Sequence, residues 1–283
     1  MKIRNLEHTD FDTLFISFER AFSDYEICFD KGEVRSMLKR RGYDPRISFA
    51  AFEKDEIVAF TLNGKGIYNG IPTAYDTGTG TVKEYRGQGI AGKIFSYSIP
   101  FLKEAGIRQY LLEVLQNNHR AITVYNRMNF ETSREFDCFR QTIGAINNAP
   151  ADLSSEYTVE PVTIDFILQC QDFCDFYPSW QNSIESIRRA ETDLTCLGVK
   201  ISGIPVGYCV LDPHTGDLSQ IAIREEYRRR GIASRLLHEA TKRMKTDFVK
   251  VLNINSDNTA LSAFLKNKNI TLTSKQFEMI LRL

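Results

Sequence analysis

The chain has 283 residues, and one hydrophobic core rarely organises a chain of this length, so we expect two domains. Its 36 basic residues balance 36 acidic ones, which argues against nucleic acid or an acidic membrane surface as a partner. The opening residues are too acidic for a signal peptide and no long apolar run follows, so we expect a cytoplasmic protein without a membrane span.

The six cysteines include no Cys-x-x-Cys pair, which favours reduced thiols over disulfides or a zinc site. Cys170 and Cys174 stand one helical turn apart, yet no histidine or carboxylate lies beside them at ligand spacing. We therefore expect these thiols to be buried and the protein to hold no metal.

The first half of the chain opens with a helical pattern after the capping candidate Thr9, formed by apolar residues on one face (Phe11, Leu14, Phe15, Phe18 and Phe22). A second helix is predicted around residues 34–38. Apolar runs at 47–52 and 57–62 flank a polar turn and predict a hairpin, and a third strand is predicted at 73–82.

Residues 141–156 are rich in Asn, Ala, Ser and Pro without an apolar period, so we interpret them as a linker. Domains are therefore predicted at 1–140 and 157–283. After a shorter helical region, the second half repeats the hairpin and third strand of the first half (197–202, 206–211 and 218–223).

The repeat is closest where a strand gives way to a helix, in EYRGQGIAGKI at residues 84–94 and EYRRRGIASRL at residues 226–236. Both segments contain Tyr-Arg-x-x-Gly-Ile-Ala and continue with apolar residues at helical spacing. Two tandem copies of one α/β (α+β) fold are the simplest explanation.

This repeated turn has the composition of an anion-binding site. Unpaired backbone N–H groups and the positive end of the helix dipole converge where a helix starts. Gly89 and Gly231 let the backbone approach a phosphate, and Arg86 and Arg228 are expected to add charged donors. The alternative is an ordinary strand-to-helix turn whose glycine permits close packing.

Two other phosphate motifs overlap the turn in the first copy. Residues 87–92 satisfy the dinucleotide pattern G-x-G-x-x-G and, with Lys93, most of the P-loop pattern, but Ile94 stands where a hydroxyl should hold magnesium. In the second copy Arg229 and Ser234 break both patterns. Only Arg-x-x-Gly-x-Ala survives in both copies.

That shared subset resembles the GNAT acetyltransferase superfamily, whose turn between its fourth strand and third helix carries Gln/Arg-x-x-Gly-x-Gly/Ala and binds the coenzyme A pyrophosphate. The resemblance implies two tandem GNAT folds, each with a mixed, mostly antiparallel central sheet flanked by helices. It implies acetyl-coenzyme A as cosubstrate, and a backbone N–H near the end of the third predicted strand that polarises the acyl carbonyl. The implied cofactor-binding positions are Thr81, Val82, Arg86, Gly87, Gln88, Gly89, Ile90, Ala91 and Asn118 in the first copy and Arg228, Gly231 and Ala233 in the second.

A later segment of the first copy also resembles the family: the strand at 111–114, then Asn118, Ala121 and Tyr125. The resemblance places Asn118 at the pantetheine arm and Tyr125 near the thiol. A phenol can protonate a leaving thiolate, so Tyr125 is the general-acid candidate; the alternative is a tyrosine whose ring packs in the core.

The second copy lacks this tyrosine. At the same spacing it has Leu265, and an alignment shifted by one residue offers Asp257 and Phe264 instead. Neither alignment supplies a phenolic proton. We therefore expect catalysis in the first copy and a second copy that binds coenzyme A without catalysis or only supports the fold.

The attacking amine needs a base at neutral pH. In the third strand, alternation would put Asp76, Gly78 and Gly80 on one face, where the glycines would leave room for the acyl arm. Glu113 on the next strand is the other candidate. Either carboxylate could be structural, and a water relay is the third possibility.

The acceptor is expected near Tyr25 and Phe29, although aromatic residues after an apolar helix also complete cores. His119 is expected to be solvated rather than catalytic. The leading hypothesis is direct acetyl transfer to a primary amine of a small molecule or peptide, by a monomer or homodimer. The alternatives are a non-catalytic coenzyme A-binding module and, less favoured because of Ile94, a nucleotide hydrolase.

Overall fold

A computed structural model of the chain describes residues 1–24, 29–149 and 157–283. It divides into two compact units: unit 1 comprises Met1–Ser133 together with Glu278–Leu283, and unit 2 comprises Arg134–Phe277. Most of the segment predicted as a linker before residue 150 is ordered structure, because a strand extends to Thr142 and a short 3-10 turn follows it. Residues 150–156 of that segment lie outside the described residues. The predicted domain limits at 140 and 157 stay a prediction.

Unit 1 follows the predicted order of helices, hairpin and third strand. Its elements are β1 (Lys2–Asn5), α1 (Phe11–Phe22), α2 (Lys31–Arg41), β2 (Phe49–Glu53), β3 (Glu56–Tyr68), β4 (Ile71–Thr81), α3 (Ile90–Glu104), β5 (Gln109–Leu115), α4 (His119–Arg127) and the start of β6 (Glu131–Thr142). The strands lie in the order β1-β2-β3-β4-β5, antiparallel except for the parallel pair β4 and β5.

The first helix begins one residue later than the capping candidate Thr9 implied. Asp10 is the cap, because its Oδ1 accepts a hydrogen bond from the Thr13 N–H at 2.8 Å. The apolar face of α1 buries Leu14 and Phe18 against the sheet, where Phe18 stacks on Phe60 with ring centroids 6.0 Å apart. The predicted amphipathic helix is therefore confirmed, with its cap corrected.

A β-bulge interrupts β4 in the middle of the predicted third strand. Leu62 pairs with Gly78 and Asn63 with Asp76, so Thr77 is the extra residue. Beyond the bulge the alternation of side chains is shifted by one. Gly80 consequently faces the α1 side, where an added Cβ would lie 2.6 Å from the Phe60 ring.

The bulge places Asp76 on the other face, together with Thr79, whose hydroxyl donates to the Asp76 carboxylate at 2.8 Å. The expectation that Asp76, Gly78 and Gly80 share one face is therefore wrong. Simple alternation fails because an inserted residue reverses the face of every residue after it.

Unit 2 repeats the element order with shorter opening helices. Its elements are most of β6, then β7 (Tyr157–Pro161), α5 (Ile164–Gln169), α6 (Ile184–Arg189), β8 (Thr195–Ile201), β9 (Ile204–Asp212), β10 (Asp217–Ile223), α7 (Ile232–Thr241), β11 (Phe248–Asn255), α8 (Thr259–Asn267) and the first part of β12 (Thr271–Arg282). Its strands lie in the order β7-β8-β9-β10-β11-β6, and only β10 and β11 run parallel.

The predicted fold class, a mixed and mostly antiparallel sheet with helices in each of two repeats, is confirmed. Within the residues that the structure describes, no helix combines the length and the apolar composition needed to cross a membrane.

Unit 1 is completed by the end of the chain. The Leu283 N–H donates to the Arg108 carbonyl at 2.9 Å, beside β5. Glu278 is buried within unit 1 and accepts hydrogen bonds from the Tyr68 hydroxyl at 3.1 Å and the Ser133 hydroxyl at 2.6 Å. The carboxyl-terminal residues are therefore structural parts of unit 1.

We predict that Glu278→Ala lowers the free energy of unfolding by about 1–3 kcal/mol, because the buried Tyr68 hydroxyl and the Ser133 hydroxyl lose their acceptor. Urea denaturation followed by circular dichroism would measure this. Glu131→Ala removes an exposed carboxylate from β6 and serves as the matched control. Equal stability of the two variants would contradict the prediction.

Candidate active site

The candidate active site of unit 1 is a cleft formed where β4 and β5 separate. These parallel strands pair only from Thr73 with Gln109 to Tyr75 with Leu111, although β4 continues to Thr81 and β5 to Leu115. In unit 2, β10 and β11 pair only at Asp217 and Lys250. Each unit therefore has two strands that diverge toward the start of the following helix.

One backbone N–H at the end of β4 is directed into this cleft. The Val82 N–H donates to the Val58 carbonyl at 2.9 Å, so it points toward β3. Because N–H groups alternate in direction along a strand, the Thr81 N–H points away from β3, toward the open side. Of the two residues predicted to polarise an acyl carbonyl, Thr81 is suitably oriented and Val82 is not.

The turn before α3 has the backbone of an anion site. Gly87 and Gly89 have φ angles of 80° and 70°, and Gly89 is the N-cap of α3. Because Gly89 has no side chain, no capping group occupies the N–H groups of the first helical turn. In unit 2 the same turn has positive φ at Arg229 (62°) and Gly231 (84°).

Three more residues of this turn were predicted to bind the cofactor. The Ile90 side chain is buried in the core, so only its backbone can face a ligand, and Ala91 follows it in the first turn of α3. Gln88 makes a 3.4 Å hydrogen bond from Nε2 to the Glu84 carbonyl. The turn thus offers a phosphate mainly its backbone.

Arg86 is directed into the protein instead of toward a phosphate. Its guanidinium donates to both oxygens of Asp24 at 2.6 and 2.7 Å, and also to the Ala21 and Thr81 carbonyls. The hydrogen bond from Arg86 is the main reason why the pKa of Asp24 is lowered to about 2. These bonds tie the end of α1 to the end of β4.

Arg228 makes the equivalent contacts in unit 2. It donates to the Ile223 and Phe173 carbonyls and to Asp175 at 2.7 Å. The donors expected for a phosphate are thus engaged by the protein in both units. No motif signals this arrangement, but the repeat pairs Asp24 with Asp175 and could have suggested it.

The helix after β5 fixes how the two copies correspond. Asn118 caps α4, its Oδ1 accepting from the Ala121 N–H at 3.1 Å, and Asn258 caps α8 in the same way through Leu261 at 2.9 Å. Leu265, seven residues after its cap, therefore stands in the place of Tyr125. The shifted alignment with Asp257 and Phe264 is excluded.

Tyr125 is partly exposed, with its ring centroid 5.6 Å from that of Phe130. Phe130 in turn packs on Tyr110 of β5 at 5.7 Å. Tyr125 therefore lies on the α3 and α4 side of the sheet, whereas Leu265 is completely buried.

Asp76 lies on the same side of the sheet as Tyr125. Its partner in the sheet is Asn63, whose Oδ1 accepts a hydrogen bond from the Tyr110 hydroxyl. Asp76 itself accepts from the Gly78 N–H at 2.9 Å and from Thr79. Despite these hydrogen bonds, burial raises the pKa of Asp76 to about 6.

Glu113 lies on the opposite side. It is three residues beyond Tyr110 on β5, and its Oε2 accepts from the Tyr75 hydroxyl at 3.0 Å. Tyr75 precedes Asp76 in β4 and so also points away from it. The two candidate bases thus approach the cleft from different faces of the sheet.

Unit 2 replaces all three of these proton-transfer candidates with groups that do not titrate. Its bulge at Ser219 puts Leu218 in the place of Asp76. Counting back from the helix cap puts Asn253 in the place of Glu113. With Leu265 in the place of Tyr125, unit 2 keeps the cleft but not its candidate acid or bases.

Unit 2 nevertheless has a cavity of about 560 Å³ beside its anion turn. The residues lining it include Cys174, Gln220, Arg229, Gly231, Ala233 and Ala260. A cavity of this size is in the range of small-ligand sites. All three predicted cofactor-binding residues of unit 2, Arg228, Gly231 and Ala233, therefore line this cavity.

Cys170 and Cys174, the two cysteines predicted to be buried, differ in how far they are exposed to solvent. Cys170 is buried, whereas Cys174 is partly exposed and its Sγ lies 3.1 Å from the Tyr208 hydroxyl. Burial raises the pKa of Cys170 to about 11 and also raises that of Cys174. Among the described residues, no three His, Cys, Asp or Glu side chains are close enough to hold a metal ion.

The predicted acceptor residues are only partly described. Phe29 is exposed and its ring lies 6.4 Å from Phe18, at the end of the loop between α1 and α2. Tyr25 lies outside the described residues. His119, the first residue of α4, is exposed.

Each unit has a cleft between diverging parallel strands with a glycine-containing turn at its end, which defines the class of α/β fold. Comparison with known proteins identifies the family. The model of the acetyltransferase (GNAT) family matches residues 12–130 and 165–267. This chain belongs to that family.

Two curated relatives are N-alpha-acetyltransferase 30 of Schizosaccharomyces pombe, 32% identical over 87 residues, and N-alpha-acetyltransferase MAK3 of Arabidopsis thaliana, 29% identical over 86 residues. Each match covers 30% of this chain and only 58% and 45% of those relatives. The chain therefore matches about half of their length.

Solved structures share the whole fold. A tandem GNAT protein from the clavulanic acid biosynthesis pathway is 10% identical, with a TM-score of 0.76 over 99% of this chain and 98% of that one. A GCN5-related N-acetyltransferase from Sphaerobacter thermophilus is 12% identical, with a TM-score of 0.74 over 99% and 95%. The expected tandem GNAT fold is confirmed.

We predict that Asp76 destabilises the folded state as pH rises. A carboxyl whose pKa is raised on folding from 3.8 to about 6 contributes stability below pH 3.8 that is lost as pH rises through 6. The stability of wild type relative to Asp76→Asn should fall by on the order of 2 kcal/mol between pH 4 and 7.

Urea denaturation at several pH values would measure this difference, with the exposed Asp165→Asn as control. A relative stability that is independent of pH, or that rises with pH, would show that Asp76 is not perturbed in this direction.

Proposed function

We propose that unit 1 is an N-acetyltransferase that moves an acetyl group from acetyl-coenzyme A to a primary amine by direct attack in a ternary complex. The observation that carries the proposal is the asymmetry between the units. Unit 1 combines the cleft and the anion turn with Tyr125, Asp76 and Glu113, whereas unit 2 has no titratable group at the three corresponding positions.

Each end of the cosubstrate has a counterpart in unit 1. The backbone N–H groups around Gly87, Gly89 and Ile90 suit the pyrophosphate. The cleft between β4 and β5 would take the pantetheine arm, with Asn118 at its α4 wall. The Thr81 N–H would donate to the acyl carbonyl, where negative charge develops during attack.

Asp76 and Glu113 lie on opposite faces of the sheet, which suggests different roles for the two carboxylates. Tyr125 and Asp76 lie on the α3 and α4 side, where the cosubstrate would bind. Glu113 lies on the side of α1 and α2, the side on which Phe29 lies and from which the acceptor would arrive. Glu113 is therefore the preferred base and Asp76 the second candidate.

In the proposed reaction the amine nitrogen attacks the thioester carbonyl carbon and the carbon–sulfur bond breaks. Glu113 takes a proton from the attacking amine, directly or through water, and Tyr125 gives a proton to the departing thiolate. The products are the N-acetyl amine and coenzyme A. No acyl-enzyme is required, and the described residues of unit 1 include no cysteine.

The acceptor class is narrowed by the curated relatives. Both are named N-alpha-acetyltransferases, which favours the α-amino group of a peptide over other primary amines. A small-molecule amine is the second possibility. A cytoplasmic location and a monomeric or homodimeric state remain part of the proposal.

A second candidate function is a non-catalytic coenzyme A-binding module. It is favoured by unit 2, which retains a cavity of about 560 Å³ and the anion turn while lacking the candidate acid and bases. Coenzyme A binding without turnover over a broad panel of peptide and small amines would support it for the whole chain.

We predict that Tyr125→Phe lowers kcat for thiol release from acetyl-coenzyme A about 10²–10³-fold, because the thiolate loses its proton donor. Coenzyme A affinity should be unchanged. Tyr97→Phe, which removes an exposed hydroxyl from α3, is the matched control. Wild-type turnover in Tyr125→Phe would exclude this residue as the general acid.

We also predict that Glu113→Gln lowers kcat/KM about 10²–10⁴-fold at neutral pH and that Asp76→Asn has a smaller effect, because only Glu113 faces the expected acceptor side. The Glu113→Gln deficit should shrink as pH approaches the pKa of about 10 of a primary amine, which then needs no base. A deficit that is constant across pH would argue for a structural role.

A further inference from the structure

The charge at the two anion turns comes from an unexpected source. This inference rests on the proposed function, in which a ligand with several phosphate groups binds at the turn of unit 1. Yet Arg86 and Arg228, the arginines of the repeated motif, are engaged by Asp24 and Asp175 and by backbone carbonyls. Each motif arginine is therefore paired with a carboxylate and tied to backbone carbonyls, although both side chains stay partly exposed.

In unit 1 a different arginine reaches the turn. Arg120 is the second residue of α4, and a Cβ placed on Gly87 would lie 4.0 Å from its Nη2. Its side chain is exposed and makes no hydrogen bond or ion pair with any residue that the structure describes. Arg120 therefore brings a positive charge from the α4 wall of the cleft to the rim of the turn.

Unit 2 has the reverse arrangement. Ala260 stands two residues after the cap of α8, where α4 has Arg120. Arg229 stands two residues before the cap Gly231, where unit 1 has Gly87. Ala260 and Arg229 line the same cavity. Arg229 is exposed and, within the described part of the chain, also has no hydrogen-bonding or ion-pairing partner.

The backbone of Arg229 shows that this exchange has a cost. A φ of 62° is unusual for a residue with a Cβ, and arginine is less stable than glycine in this backbone conformation. Glycine occupies the same position in unit 1, at φ of 80°. The presence of an arginine where the backbone favours glycine indicates that the Arg229 side chain has a function at the edge of the turn.

We propose that Arg120 in unit 1 and Arg229 in unit 2 bind the phosphate groups of coenzyme A, and that the motif arginines instead hold the turns in shape. The two positions face each other across the turn, so a guanidinium at one leaves little room for a second at the other. Unit 1 thus presents the exposed Arg120 guanidinium from α4, and unit 2 presents the exposed Arg229 guanidinium from the turn itself. A phosphate-bearing ligand is thus expected at both units, although only unit 1 has the proton-transfer groups.

Calorimetric titration with coenzyme A, and with pantetheine as a probe that lacks phosphates, tests this proposal. Wild type should bind two equivalents of coenzyme A. Arg120→Ala should weaken one site and Arg229→Gly the other, each by about 10- to 100-fold, as expected for loss of a charge-assisted hydrogen bond. The affinity for pantetheine should not change, and the salt dependence of the weakened site should decrease.

Matched controls remove the same charge nearby. Arg127→Ala acts on the last turn of α4, and Arg230→Ala acts next to Arg229 on a side chain that lies over the Tyr227 ring. Both should bind like wild type. Arg229→Gly suits the backbone and should not lower the melting temperature, so weaker binding cannot be attributed to unfolding.

The decisive variant moves the charge within unit 2. Arg229→Gly combined with Ala260→Arg recreates the arrangement of unit 1 and should restore most of the lost affinity. Coenzyme A binding by wild type that neither Arg120→Ala nor Arg229→Gly weakens would overturn this inference while leaving the proposed function intact. No coenzyme A binding by wild type would overturn both, and an effect in one unit alone would overturn it for the other.

Discussion

The end of the hydrogen-bonded ladder between β4 and β5 is the constraint on which the site depends. After Tyr75 pairs with Leu111 the strands diverge, so the edge of β4 that includes the Thr81 N–H faces open space. In a continuous sheet the next strand would satisfy these backbone groups. The divergence also ends β4 directly before the anion turn, so a single extended ligand can reach both features.

The hydrogen bonds of Arg86 keep this geometry in place. The side chain joins the Thr81 carbonyl, at the end of β4, to Ala21 and Asp24, at the end of α1. Arg228 joins the corresponding segments of unit 2. The most recognisable residue of the repeated motif thus acts on the shape of the turn. Recognition of an anion is left to the backbone and, in our proposal, to arginines outside the motif.

The comparison of the two units separates the binding of a cosubstrate from the chemistry performed on it. Both units keep the diverging strands, the bulge and the glycine-capped helix, which are backbone features. They differ at the three proton-transfer candidates, because Tyr125, Asp76 and Glu113 correspond to Leu265, Leu218 and Asn253. Leu265 and Leu218 are completely buried, so they contribute to the core of unit 2. At two of these positions unit 2 therefore has a buried leucine in place of a titratable group, and it keeps a cavity beside its turn.

The bulge at Thr77 shows why faces of a strand cannot be derived from alternation alone. One inserted residue puts Asp76 beside Tyr110 and turns Gly80 toward Phe60. The register of β4 with β5, in which Tyr75 pairs with Leu111, places Asp76 and Glu113 on opposite sides of the sheet. The position of a bulge depends on pairing with a neighbouring strand, which no local pattern records.

The sequence by itself determined the repeat, the order of elements, the glycine-containing turns before α3 and α7 and the family, because these rest on local periodicity, on glycines with positive φ and on spacing within a short segment. It also indicated that the second copy lacks a phenol at the position of Tyr125. Only the tertiary structure decided the partners of Arg86 and Arg228, the faces of Asp76 and Glu113 and the approach of Arg120 to Gly87. Each of these joins residues far apart in the chain, so its outcome depends on how strands and helices pack.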